Sequence, residues 1–144
     1  STKRTPVFES IYIAVISVIL LWMILTPQHL VYLRDKIYFD SHQISFNKIV
    51  ELAETSDCYN SEAYCNESIR ISDSDIIEWL NDEWIYVVYQ HDRLFIILAN
   101  RNKQYPIVYI EGQNLTPAYF PLGSFDYNCL YKLATNWFLC DGSV

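Results

Sequence analysis

Glycine is scarce in this chain, at three residues in 144 (Gly112, Gly123 and Gly142), and their scatter leaves no loop that could cradle a phosphate. No Gly-x-Ser-x-Gly elbow is present to present a hydrolase nucleophile. The three histidines, His29, His42 and His91, never stand at HxH or HExxH spacing. The cysteine pairs Cys58/Cys65 and Cys129/Cys140 are too widely spaced for a zinc ribbon or a thioredoxin-like motif. These absences argue against an enzyme, a cofactor and a catalytic metal. An acidic cluster, Asp73, Asp75, Glu78, Asp82 and Glu83, lacks the central glycine of an EF-hand and reads as a helix start with a solvated face. Basic charge is also short: residues 34–144 hold 8 Lys and Arg against 16 Asp and Glu, a net of −8. That balance sets the segment against nucleic acid as a partner.

Charge of either sign is missing from residue 10 to residue 33, a stretch that would make about 36 Å of helix. Within it, residues 11–25 (IYIAVISVILLWMIL) are apolar all round, whereas a core helix in so small a protein shows one apolar stripe. Lys3 and Arg4 precede the run as they would in a secretory signal. No small-x-small cleavage site follows Ser17, however, and the next alanine is Ala53, so the expectation is an uncleaved anchor. The basic flank keeps the N-terminus in the cytoplasm. All four cysteines, Cys58, Cys65, Cys129 and Cys140, lie beyond the helix, which suggests two disulfides in an oxidising compartment. The expected organisation is therefore a short cytoplasmic tail (1–9), a transmembrane helix (10–33) and one small periplasmic domain (34–144). Ser1 in place of Met fits either removal of an initiator Met or a fragment that lacks a cytoplasmic part.

Pro27 marks a kink or stop, after which residues 28–37 can resume as a helical stalk through Leu30, Leu33 and Ile37. Ser45 is the expected cap of a helix whose Phe46, Ile49, Val50 and Ala53 fall on one face. Cys58 to Cys65 encloses a polar loop that a disulfide can close. A second short helix starts at Asp73 or Ser74 and buries Ile76, Ile77, Trp79 and Leu80. From Glu83 the period changes to that of strands. EWIYVVYQ and RLFIILAN form a hairpin across His91 and Asp92, YPIVYIEG adds a strand with Pro106 at its start or edge, and LTPAYFPLGSFD reads as a loop. A final hairpin turns near residues 134–136, so that Cys129 opposes Cys140 and Cys58 is left to pair with Cys65. The fold class is α+β, with two short helices followed by an antiparallel sheet or partial barrel. Asn66-Glu67-Ser68 and Asn114-Leu115-Thr116 fit the glycosylation sequon.

Aromatic residues crowd the sheet. Alternation places Trp84, Tyr86 and Val88 on one face of their strand and Ile85, Val87 and Tyr89 on the other, so both faces are apolar and both need cover. Helices can take one face; the other requires a partner chain, a curled barrel or a small amphipathic ligand. Trp84, Tyr86, Phe95 and Tyr109 are the candidate partner- or ligand-binding residues.

A short basic stretch, one membrane helix, an α+β domain of about a hundred residues and a terminal Cys-x10-Cys hairpin (Cys129, Cys140, then DGSV) resemble ToxR-like, and especially TcpP-like, bitopic regulators in their membrane and periplasmic part. The likeness covers that organisation and the last dozen residues. Those regulators carry a cytoplasmic winged-helix domain, which this sequence does not, so it is more similar to the small companion proteins that pair with them. The resemblance implies a sensor or protective subunit of a membrane-bound transcription complex. Its periplasmic domain would form a hetero-oligomer with that of a regulator, beside inner-membrane lipid, in a shared barrel for a bile-salt-like ligand. Two other classes share features with the chain. A pilin has a similar apolar N-terminal helix and C-terminal disulfide loop, but would have Glu where this sequence has Thr5. A membrane-anchored immunity or inhibitor protein would suit an acidic domain that meets a basic toxin or enzyme.

Overall fold

The computed structural model describes residues 6–25, 27–99, 105–116, 119–122 and 125–143. Lys3 and Arg4 of the basic flank, and Pro117 and Gly123 of the proline-rich segment, lie outside the described residues. The chain divides into two compact units, Ser1–Ile37 and Tyr38–Val144.

In the first unit, α1 (Pro6–Leu25) opens on a proline, whose missing N–H has no helical partner at that position in any case. Its 20 residues reach about 30 Å, the thickness of a bilayer's hydrocarbon core. Apolar side chains from Val7 to Ile24 stand exposed around the whole circumference. The helix has the length and composition of a membrane span or of a signal sequence. Pro27 begins α2 (Pro27–Ser41), as expected of a stalk, and His29 stacks on Trp22 at 5.2 Å. α2 crosses the division between the units.

The second unit starts with the last turn of α2 and with α3 (Gln43–Glu54), which begins two residues ahead of the expected Ser45 cap. The physical reason is a tight link: the His42 N–H donates to the Phe39 carbonyl at 3.1 Å, and the His42 ring stacks on Tyr38 at 3.9 Å, which carries the chain straight from one helix to the next. Ser45 instead hydrogen-bonds the carboxylate of Asp73. Asp73 caps α4 (Ser74–Leu80), accepting from the N–H groups of Asp75 and Ile76 at 3.1 Å each. The helix ends on Asn81 in the left-handed region (φ 52°).

Seven strands follow or interleave: β1 (Cys65–Arg70), β2 (Trp84–Gln90), β3 (Arg93–Leu98), β4 (Ile107–Ile110), β5 (Phe120–Leu122), β6 (Phe125–Ala134) and β7 (Trp137–Ser143). They form one sheet in the order β1-β2-β3-β4-β7-β6-β5, and every neighbouring pair is antiparallel. The fold is α+β with a half-barrel sheet, as the sequence implies. The β2–β3 turn uses positive φ at both His91 (49°) and Asp92 (58°), the twist that a two-residue hairpin favours. The terminal hairpin turns at Asn136 (φ 68°) and places Cys129 opposite Cys140, and the two are bonded; Cys58 and Cys65 are bonded as well. Two register shifts in β6 bend the last hairpin and add to the sheet's curl. Two strands depart from expectation. β1, CNESIR, has one large apolar residue, Ile69, so its alternation of half-buried and exposed positions leaves little hydrophobic signal. β5 lies inside the segment expected to be a loop; it is an edge strand three residues long, where a mid-strand Pro121 can be tolerated because one side needs no donor.

One face of the sheet, with Ile85, Val87, Leu94, Ile96, Ile107, Tyr109, Trp137 and Leu139, is buried beneath the helices. The contact is largely aromatic: Phe39 and Phe46 stack at 4.3 Å, and both meet Trp137, at 5.5 and 5.4 Å. Ile49, Ala53, Ile76 and Leu80 fill the space around them.

The Asp73 cap gives a pH-dependent test. Hydrogen bonds from Ser45 and the helix N–H groups lower its pKa, so the stability it contributes is complete above the unfolded carboxylate value of about 4 and is lost as pH falls through the lower folded value. Asp73→Ala should cost about 1 kcal/mol in urea unfolding at neutral pH and much less at about pH 2. An equal penalty at both pH values contradicts the cap.

Candidate functional site

The opposite, concave face of the half-barrel is where cover runs out. Register assigns it Asn66, Ser68 and Arg70 from β1, Trp84, Tyr86 and Val88 from β2, Phe95 and Ile97 from β3, and Val108 and Ile110 from β4. Phe138 and Cys140 of β7, Tyr127 and Cys129 of β6, and Phe120 and Leu122 of β5 complete it. Ten of these residues form one buried cluster with the Cys129–Cys140 bond among them.

The concavity is closed at one end. Phe95, Phe120 and Tyr127 stack in series, at 5.7 and 5.4 Å between ring centroids, and so bridge β3, β5 and β6. The Gln90 side-chain amide donates to the Pro121 carbonyl at 2.8 Å, tying the end of β2 to the far edge of the sheet. Gly142 lies opposite Tyr127 in the β6–β7 ladder; a Cβ there would come within 3.0 Å of the Tyr127 ring, so the missing side chain gives that ring its place.

The remainder stays open. Between β1–β2 and β5–β6 lies a cavity of about 490 Å³, within the range usual for small-molecule sites. Tyr86, Val88, Ile97, Leu122 and Tyr127 make an apolar wall, while Asn66, Glu67 and Ser68 of β1 make a polar rim. Burial raises the pKa of Tyr127. An apolar wall facing a polar rim is the chemistry of an amphipathic ligand. The two edge strands, β1 and β5, each pair on one side only. The free side of β1 is a template for another strand, whereas at β5 Pro121 has no N–H and its carbonyl is taken by Gln90.

The four candidate aromatics separate. Trp84 and Tyr86 stand at the open rim, 43% and 46% exposed. Phe95 belongs to the same face but is buried in the closed end. Tyr109 is on the other face, because its register partner is Ile96 and not Phe95, and its ring packs edge-on against Trp137 at 5.1 Å. Alternation within a strand assigns residues to two faces; only inter-strand register says which faces coincide. Tyr127, Leu122 and Tyr64, which also line the cavity, were not among the candidates; Tyr127 shares the parity of Cys129, which is the signal that could have found it. Among the described residues, no three His, Cys, Asp or Glu side chains are grouped to hold a metal ion.

This placement predicts a split in mutational cost. Trp84→Ala and Tyr86→Ala should each lower stability by less than about 1 kcal/mol, whereas Phe95→Ala and Tyr109→Ala should cost roughly 3 to 5 kcal/mol in urea unfolding. Equal losses at Tyr86 and Phe95 contradict an open rim. No family model, curated protein or solved structure matches the chain.

Proposed function

We propose that the chain is a membrane-anchored regulatory subunit of the bacterial inner membrane, with its half-barrel in the periplasm. There it pairs with the periplasmic domain of a membrane-bound regulator, encloses with it a small amphipathic, bile-salt-like ligand, and so controls transcription signalling. The observation that carries this reading is the open cavity between the two edge strands of the sheet, apolar on one wall and polar on the other. A partner that lays a strand along β1 satisfies its backbone groups, covers Trp84 and Tyr86, and turns an open groove into an enclosed site in one step. The bitopic arrangement agrees with an apolar N-terminal helix followed by a domain with two disulfides. The acidic surface is consistent with a protein partner and not with nucleic acid.

Photo-crosslinking in the native host tests the pairing. A benzophenone amino acid at Trp84 or Tyr86 should join the chain to a membrane protein that carries a cytoplasmic DNA-binding domain, and the same probe at Ile44, exposed on α3, should not. Addition of a bile-salt-like amphiphile should alter the yield at Tyr86. Equal cross-linking from Tyr86 and Ile44, or none from either rim position, contradicts the proposal.

A further inference from the structure

We draw no further inference here: the strongest candidate, the surface recess where Tyr38 at the end of α2 is stacked between His42 and Trp79 beside Asp75 and Glu78 of α4, is an open aromatic surface with two exposed carboxylates, and nothing in the structure points to a ligand in it.

Discussion

A sheet with two apolar faces has to be covered twice, and the rest of the C-terminal unit follows from how that requirement is met. The helical face is met within the chain, by Phe39 and Phe46 packed on Trp137, with Trp79 edge-on to Phe46, and by the aliphatic residues of α3 and α4. The concave face is met partly by curling: the Phe95–Phe120–Tyr127 stack and the Gln90–Pro121 hydrogen bond draw the two ends of the sheet together at one end. Curling stops there, since β5 is only three residues long and β1 contributes polar side chains to the opposite rim. The cavity is what the curl leaves uncovered.

Each covalent bond lies toward one end of the sheet. Cys129–Cys140 joins β6 to β7 inside the concave cluster, between the two bulges of β6 and the Tyr127–Gly142 contact, and so fixes the hairpin that carries the far edge. Cys58–Cys65 holds the polar loop that precedes the opposite edge strand, against which Tyr59 packs edge-on to Tyr89. A disulfide stabilises by restricting the unfolded chain.

Much of this was legible in the sequence, for identifiable reasons. The apolar helix, the change of period at Glu83, the turns at His91–Asp92 and Asn136, and both cysteine pairings follow from patterns local to a few residues. β1 was not legible, because a strand with one large apolar side chain carries almost no periodic signal, and β5 was hidden by a proline that only an edge position tolerates. The start of α3 was misplaced because Ser45 looks like a cap, while its hydroxyl serves the carboxylate of the next helix's cap. Of the candidate residues, the shared face of Trp84 and Tyr86 was legible from alternation, but Tyr109 lies on the other face, because parity within one strand does not fix register between strands.

The central claim is that the concave face stays open in the chain by itself. Its most direct measurement is the rate at which a bulky, water-soluble maleimide reacts with Tyr86→Cys in the chain embedded alone in lipid nanodiscs, compared with Ile44→Cys on the exposed surface of α3 and Val87→Cys under the helices. An open face predicts that the Tyr86→Cys rate stays close to that of Ile44→Cys and far above that of Val87→Cys. A Tyr86→Cys side chain as protected as Val87→Cys would mean that the chain covers its own concave face, and would contradict the account.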